Sequence, residues 1–276
     1  NAVYGHKEAK ETILQSVAMQ ISNPATRGNI IAIQGPMGNG KTTLVKQGIA
    51  KAMGRPFAFV ALGGATDSAF LEGHDYTYEG AQCGKIVKIL NACGTMDPII
   101  YFDELDKISD TPKGDEIENL LCHLTDHSQN SEFHDKYYSG IDFDLSKATF
   151  IFSFNNKSKV NPILLDRMRV IETKGFELAD KLPIAKDYLL REVCENVGIP
   201  RDDLVFSDDV LKHIIMNHTE EKGVRNLKRC LESVIQKLNL LRITKSEDDA
   251  GETATSATST TSTTSAASTP EGVDKS

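Results

Sequence analysis

The sequence lacks the features that would tie the chain to a membrane or to nucleic acid. No apolar run approaches the roughly 18–20 residues of a membrane span, and no stretch has the pattern of a signal peptide. No run of Lys or Arg is present, and 31 basic against 39 acidic residues give a formal net charge of −8. Bulk electrostatics therefore disfavour nucleic-acid binding, although local basic patches stay open.

The cysteines form no recognisable pairs. There are five of them, an odd number, and none belongs to a Cys-x-x-Cys motif. We therefore predict free thiols in a reducing compartment, meaning an intracellular one that is cytoplasmic or equivalent. The chain begins at Asn1 rather than at Met, so we expect a piece of a longer protein, and an upstream targeting segment stays open.

Composition divides the chain into three parts. Apolar strands alternate with helical periods at first, which predicts an α/β domain over 1–173, with a parallel sheet and flanking helices. Three helical periods without strands predict a small all-α subdomain over 174–245. Residues 253–269 contain only Ser, Thr and Ala. Such a tract cannot offset its ordering entropy by burial, so we predict a disordered tail or linker over 246–276.

The individual elements follow from apolar spacing and from turn residues. Strands are predicted at 30–34, 57–62, 99–102, 149–154 and 170–173. Helices are predicted at 5–22, from the loop after the first strand to about 53, and at 85–92, 116–127, 177–196, 208–218 and 224–241.

The most informative stretch follows the first predicted strand. It reads Gly35-x-x-x-x-Gly40-Lys41-Thr42, the pattern of a phosphate-binding P-loop. Its glycines let backbone N–H groups turn toward a polyphosphate, while Lys41 reaches the outer phosphates and Thr42 holds Mg²⁺. The alternative is a glycine-rich strand–helix turn that binds nothing. The predicted nucleotide-binding residues of the loop are Gly35, Pro36, Met37, Gly38, Asn39, Gly40, Lys41, Thr42 and Thr43.

Polar residues also follow two other predicted strands. Asp103 and Glu104 end an apolar run in the Walker B pattern, in which Asp103 would hold Mg²⁺ through water and Glu104 would activate the attacking water. Asn155 ends another run, where its amide could contact the γ-phosphate or that water. A strand that runs into a solvated turn is the alternative for the two acids. For Asn155 the alternative is a strand-end cap.

These motifs, together with more specific ones, resemble the ATPase module of Lon-type AAA+ proteins. The resemblance runs from about Tyr4 to Leu241. It is carried by Ala61-Leu62-Gly63-Gly64, Glu72-Gly73-His74, Thr77-Tyr78-Glu79-Gly80, Gly84-Lys85, Asp103-Glu104-Leu105-Asp106-Lys107, Asp142-Phe143-Asp144-Leu145-Ser146, Leu164-Leu165-Asp166-Arg167-Met168 and Gly223-Val224-Arg225. It implies a P-loop NTPase sheet followed by a helical lid, with ATP and Mg²⁺ as cofactors.

The resemblance also implies roles for single residues. Tyr4 and Gly5 would line the adenine pocket, and Asn155 would be the residue called sensor 1. Arg167 would be an arginine finger presented to the ATP of a neighbouring subunit, and Arg225 would be sensor 2 for its own subunit. Because a finger from a neighbour requires an oligomer, and the family forms hexamers, we expect a homo-oligomeric ring. The alternatives are a surface ion pair of Arg167 with the preceding aspartate and a solvated helix start at Arg225.

Tyr78 falls where the family places the pore-loop aromatic that grips unfolded protein substrates. Here Glu79 follows it in place of an apolar residue, and Asp75-Tyr76 stand where basic residues are usual. These departures favour basic or mixed-polarity clients, or a contact shifted to Tyr76. A flexible loop with incidental tyrosines is the alternative.

A histidine-containing segment suggests zinc only weakly. Cys122, His123 and His127 lie close in sequence, and His134 follows, but no Glu comes after His123 as the metalloprotease pattern requires. We predict solvated histidines.

The sequence thus predicts an ATP-driven protein unfoldase and translocase module of Lon type. We expect no peptidase activity from this chain alone, because no serine–lysine protease domain is among its residues. Whether such a domain follows in a longer parent stays open. Three alternatives remain: an AAA+ ATPase acting on nucleic acid, such as a loader or helicase-like motor; a non-proteolytic remodeller; and a nucleotide-binding module without turnover.

Overall fold

The structure is a computed structural model that describes residues 3–23, 28–77 and 79–256 of the chain. Its α/β part has strands β1 (Ile30–Gln34), β2 (Phe57–Ala61), β3 (Ile99–Asp103), β4 (Phe133–His134), β5 (Asp142–Phe143), β6 (Thr149–Phe154) and β7 (Arg169–Glu172).

Five of the described strands form one parallel sheet in the order β2-β3-β6-β1-β7. β4 and β5 pair antiparallel as a separate ribbon. The strands of the parallel sheet read as continuous apolar runs because helices cover both of its faces. The carboxyl ends of β1, β3 and β6 lie side by side at one edge, where open α/β sheets bind their ligands.

Helices flank the sheet and then continue alone. Those of the α/β part are α1 (Lys7–Ser22), α2 (41–53), α3 (Ala69–Glu72), α4 (Lys85–Cys93), α5 (Pro112–Thr125) and α6 (Pro162–Arg167). Helix α2 runs through Lys41–Thr43, a π-helical Leu44–Ala50 and Lys51–Met53. The helical part, called the lid below, begins with α7, which runs through Leu178–Ile184, a π-helical Ala185–Leu189 and Leu190–Val197. It ends with α8 (Asp208–His218) and α9 (Arg225–Ser256).

Strand alternation sorts the core into two clusters, one on each face of the sheet. Ile99 and Tyr101 of β3 point into the cluster that includes α1 and α2, whereas Ile100 and Phe102 point into the cluster that includes α4 and α5. The lid has its own cluster of buried side chains, drawn from all three of its helices. In the described part of the chain, no helix is long and apolar enough to cross a membrane.

The predicted fold class is confirmed: an α/β P-loop sheet is followed by an all-α subdomain. Three short elements were not predicted, namely α3, α6 and the β4–β5 ribbon. The prediction that α5 begins at residue 116 is wrong by about one turn, because Pro112 starts it and the Thr111 hydroxyl accepts a hydrogen bond from the Gly114 N–H (3.3 Å).

The boundaries at 173 and 245 stay predictions. Helix α9 continues past residue 245 to Ser256, and residues 257–276 of the predicted tail lie outside the described residues.

Candidate functional site

A cleft of about 730 Å³ lies between the carboxyl edge of the sheet and the lid. Most of the residues predicted from the sequence line it: Tyr4, Met37, Gly38, Asn39, Gly40, Lys41, Thr42, Thr43, Asp103, Glu104, Asn155 and Arg225. The lid adds side chains that the sequence did not single out, among them Tyr188, Arg191, Glu192, Glu195 and Lys228.

The P-loop takes its shape from glycine and from β7. Gly38 and Gly40 have φ values of 74° and 85°, which residues other than glycine rarely adopt. At Gly35, a β-carbon would lie 2.1 Å from Thr173 Oγ1. That threonine oxygen accepts a hydrogen bond from Asn39 Nδ2 at 2.7 Å. The end of β7 therefore holds the loop from one side.

The Lys41 ammonium is fully engaged with groups of the chain itself. It donates to the carbonyls of Gly35 (2.8 Å) and Pro36 (3.0 Å) and to Asn155 Oδ1 (2.9 Å). Burial lowers its pKa below the usual 10.5, and the carboxylate of Asp103 partly offsets this. The amine thus joins the end of β1 to the end of β6.

Asp103 is oriented by several donors that share one oxygen. Its Oδ1 accepts from the Ser153 hydroxyl, from the Glu104 N–H (3.1 Å) and from the Tyr101 hydroxyl (3.4 Å). Among the described residues, Oδ1 accepts all the hydrogen bonds of this carboxylate, Oδ2 accepts none, and Asp103 lines the cleft. Burial raises the pKa of Tyr101 to about 12, so its hydroxyl keeps its proton.

Glu104 has a left-handed backbone, with φ 61° and ψ 45°. This conformation costs a non-glycine residue roughly 1–2 kcal/mol, and such local strain is often found at functional sites. Gly63 leaves room for the side chain, because a β-carbon there would lie 2.2 Å from Glu104 Oε2. The backbone and Gly63 together fix where the carboxylate stands.

The segment after β6 is tied to the turn after β3. The Asn156 N–H donates to Asp106 Oδ2 at 3.1 Å. Asp106 is only 4% exposed, and its other oxygen has no hydrogen-bond partner among the described residues. The buried carboxylate therefore anchors the chain immediately after Asn155.

The lid meets the P-loop through main-chain atoms. The Val224 N–H donates to the Gly38 carbonyl at 3.0 Å. A β-carbon at Gly223 would lie 2.2 Å from the Met37 carbonyl oxygen, so the approach requires glycine. Arg225 follows at the first position of α9 and lines the cleft.

The residues before α1 close one end of the site. Tyr4 lines the cleft and packs on the lid cluster together with Phe176. Gly5 is not among the described residues that line this cleft; it borders a smaller cavity of about 200 Å³. His6 stands between Gly5 and the start of α1, and its Nε2 lies 3.0 Å from the Asn39 carbonyl oxygen. Burial lowers the pKa of this histidine below 6.5. A neutral ring that donates through Nε2 satisfies this contact.

Arg167 lies elsewhere, at the end of α6. It donates to the Cys122 carbonyl at 2.5 Å, and its other terminal nitrogen lies 3.2 Å from Asp126 Oδ2. Its ion-pair partner is thus Asp126, at the end of α5, and not the neighbouring Asp166. Arg167 is not among the described residues that line the cleft of its own chain.

Two further predictions concern the surface. Tyr78 lies outside the described residues, while Glu79, Asp75 and Tyr76 beside it are exposed. His134 pairs with Asp142 at 2.6 Å, and the described residues contain no group of three or more His, Cys, Asp or Glu side chains that could hold a metal ion.

Sequence reasoning missed Tyr101 and Ser153 as partners of Asp103. Tyr101 could have been found, since residues two apart in a strand share a face and it stands two before Asp103. Ser153 left no such signal, because its pairing depends on the sheet order.

The donor set suits a magnesium-bound nucleoside triphosphate. Mg²⁺ prefers oxygen ligands, and the Thr42 hydroxyl and Asp103 Oδ2 supply them. The glycine loop exposes backbone N–H groups next to Lys41 and Arg225, as a polyphosphate requires. A parallel sheet that presents this loop and this acid at its carboxyl edge defines a P-loop nucleotide-binding protein.

Comparison with known proteins narrows this class. Residues 31–176 match the family described as ATPase family associated with various cellular activities (AAA), and residues 195–250 match the Lon protease AAA+ ATPase lid domain. The chain therefore belongs to the AAA family and is a Lon-type AAA+ ATPase module, so it binds a nucleotide.

Several similar proteins are much longer than this chain. A Lon protease homolog of Acanthamoeba polyphaga mimivirus is 43% identical over 241 residues, which cover 87% of this chain and 24% of that protein. The Lon protease of Fusobacterium nucleatum is 40% identical over 235 residues, covering 85% and 30%. The mitochondrial Lon protease homolog of Schizosaccharomyces pombe is 39% identical over 246 residues, covering 89% and 23%. The chain thus spans between 23% and 30% of the length of these relatives.

Proposed function

We propose that this chain binds ATP with Mg²⁺, hydrolyses it to ADP and phosphate, and uses the turnover to unfold and translocate protein substrates as a subunit of a homo-oligomeric ring. The observation that carries the proposal is the meeting of Lys41, Asp103, Asn155 and Arg225 at one cleft between sheet and lid. Each comes from a different element, and each suits one part of a nucleotide.

Nucleotide binding begins with an exchange of partners at Lys41. Its ammonium leaves the Gly35 and Pro36 carbonyls for phosphate oxygens, to which charge-assisted hydrogen bonds are stronger. The base lies against the apolar side of the cleft, which Tyr4, Phe176 and Leu189 line.

The metal site is built from oxygen atoms of two elements. Bound Mg²⁺ supplies charge neutralisation for the phosphoryl oxygens. The Thr42 hydroxyl and the Asp103 carboxylate are the groups that would hold it.

Hydrolysis uses the groups at the strand ends. The Glu104 carboxylate accepts a proton from the attacking water, and the Asn155 amide orients that water or the γ-phosphate. Arg225 brings a permanent positive charge next to the γ-phosphoryl oxygens from the lid side. Because Arg167 does not line the cleft of its own chain, its role as a finger for a neighbour's nucleotide fits an assembled ring.

Protein substrates are proposed because the similar proteins are Lon proteases and Lon protease homologs, and because Tyr78 falls at the pore-loop position of that family. We assign no peptide cleavage to the residues of this chain. Nucleic acid is the less favoured substrate, given the net charge of −8 and the exposed Asp75 and Glu79 beside the candidate pore position.

Phosphate release tests the proposal. The unmodified chain should release phosphate from ATP only with Mg²⁺, Lys41→Ala should abolish nucleotide binding, and Glu104→Gln should keep binding and lose turnover. Casein should stimulate release and remain uncleaved. Stimulation by DNA and not by casein would overturn the proposed substrate class, and binding without turnover in the unmodified chain would overturn the proposed hydrolysis.

A further inference from the structure

Tyr101 lies in the middle of the strand that carries the metal-site acid. It is fully buried, between Phe57 (ring centroids 6.1 Å apart) and Phe59 (5.9 Å). Side chains two residues apart in a strand point to the same face, so the ring extends along β3 toward Asp103. On that face lies α2, and the phenol therefore ends between the first turn of α2 and the end of β3.

The Tyr101 oxygen contacts the two residues that offer oxygen to Mg²⁺. It lies 3.3 Å from Thr42 Oγ1 and 3.4 Å from Asp103 Oδ1. Phe102 and the other large aromatic side chains of the sheet core end in carbon. A phenylalanine or leucine at 101 would fill the space and touch neither oxygen by hydrogen bonding.

The direction of these hydrogen bonds follows from proton counting. An ionised carboxylate only accepts, so the single phenolic proton of Tyr101 goes to Asp103. Toward Thr42 the phenolic oxygen can then only accept, and the Thr42 proton must point at it. A threonine hydroxyl has one proton and two lone pairs. With the proton turned inward, both lone pairs of Thr42 remain for a cation in the cleft.

The same contact acts on Asp103. Tyr101, Ser153 and the Glu104 N–H all donate to Oδ1. Three donors on one oxygen hold the carboxylate in one orientation and leave Oδ2 without a donor among the described residues. A hydroxyl buried in the core thus contacts both side chains that could offer oxygen to a cation.

We propose that Tyr101 is a positioning residue for the divalent cation: it accepts a hydrogen bond from the Thr42 hydroxyl and donates one to Asp103, so that the metal-facing oxygens are arranged before the cation arrives. This inference rests on the proposed Mg²⁺-nucleotide site and adds a residue that touches neither the cation nor the nucleotide. Tyr101 should therefore raise the affinity that depends on the cation and leave the affinity for the nucleotide alone unchanged.

The test measures the dissociation constant of a fluorescent ADP analogue in excess EDTA and in saturating Mg²⁺, and takes the ratio of the two. ADP avoids turnover. In Tyr101→Phe the ratio should fall about 5-fold, which corresponds to about 1 kcal/mol, the typical net contribution of a hydrogen bond. The dissociation constant in EDTA should stay at the unmodified value. Tyr137→Phe removes the same atom from an exposed tyrosine and should leave the ratio unchanged.

Tyr101→Met separates the hydroxyl from the packing. It also lacks the hydroxyl but fills the space differently, so its thermal unfolding should differ from that of Tyr101→Phe while the ratio falls equally. In a Thr42→Val background, which already lacks the oriented hydroxyl, Tyr101→Phe should reduce the ratio by less than it does alone.

The outcomes separate the inference from the proposed function. An unchanged ratio in both Tyr101 variants overturns the positioning role, as does a parallel loss of affinity in EDTA and in Mg²⁺, which a purely structural role would give. If the unmodified chain binds the analogue without any effect of Mg²⁺, or does not bind it, the proposed metal–nucleotide site itself fails.

Discussion

Replacing Gly63 by alanine should slow ATP hydrolysis without weakening nucleotide binding. A β-carbon at this position would lie 2.2 Å from Glu104 Oε2 and 3.3 Å from Glu104 Cβ. Non-bonded heavy atoms prefer about 3.5 Å, so the carboxylate must retreat by roughly 1 Å. A misplacement of about 1 Å can reduce a rate on the order of 10²-fold, and we expect kcat to fall by about that factor, or roughly 2.7 kcal/mol.

The assay combines steady-state phosphate release at saturating ATP with the affinity for a fluorescent ADP analogue. Gly64→Ala is the matched control. Gly64 has a φ of 82°, and a β-carbon there would meet nothing within 4 Å. That variant should lose roughly 1 kcal/mol of unfolding free energy through backbone strain and keep its kcat, because Glu104 is not displaced.

A second control tests whether the fall of kcat in Gly63→Ala depends on the Glu104 carboxylate. In a Glu104→Gln background, Gly63→Ala should cause little further loss, because the group it displaces no longer works as a base. An unchanged kcat in Gly63→Ala would refute the reasoning, and so would an equal loss in Gly64→Ala.

Other predictions test separate parts of the molecule. Because burial lowers the pKa of Lys41, nucleotide affinity should be complete at neutral pH and fall as pH rises through a value below 10.5; Lys41→Arg, always charged, should lack this decline when titrated alongside. Arg167→Ala should lose turnover only in assembled rings. Its own site should regain turnover when the neighbouring subunit keeps Arg167 but has an inactive site; absence of this rescue in mixed rings would contradict a role in trans. Tyr78→Ala should hydrolyse ATP at the basal rate and fail to unfold a tagged substrate, and normal unfolding would remove Tyr78 from the pore. Phe152→Ala should cost about 3–5 kcal/mol in urea unfolding, since this side chain is fully buried and stacked on Phe102 at 4.9 Å; a loss below about 1 kcal/mol would contradict its place in the core.

The sheet and the P-loop could be predicted because their signals are local. Strands covered on both faces are short apolar runs, and the glycines of the loop stand at the positions that need positive φ, such as Gly38 and Gly40. The ends of β3 and β6 were identified for the same reason, since a polar residue that closes a buried run marks the edge of the sheet. The two-residue strands of the ribbon were too short to give an alternating pattern.

Contacts that depend on how distant segments meet could not be predicted. Arg167 was weighed against Asp166, its sequence neighbour, but in the structure it pairs with Asp126, which the end of α5 brings near. Likewise, nothing in the sequence placed Tyr188 and Lys228 at the cleft, because that depends on how the lid rests against the sheet. Helical periodicity gives the buried face of each lid helix and leaves the orientation of the whole unit undetermined.

Gly38 and Val224 touch through their peptide groups, so no side chain lies between the P-loop and the lid at this contact. A side chain at such a joint would rotate and absorb a small displacement, whereas a peptide hydrogen bond passes it on. Helix α9 starts at the next residue and has 32 residues, so at 1.5 Å per residue it is about 48 Å long. A tilt of about 5° at the base of a helix this long would move its far end by about 4 Å.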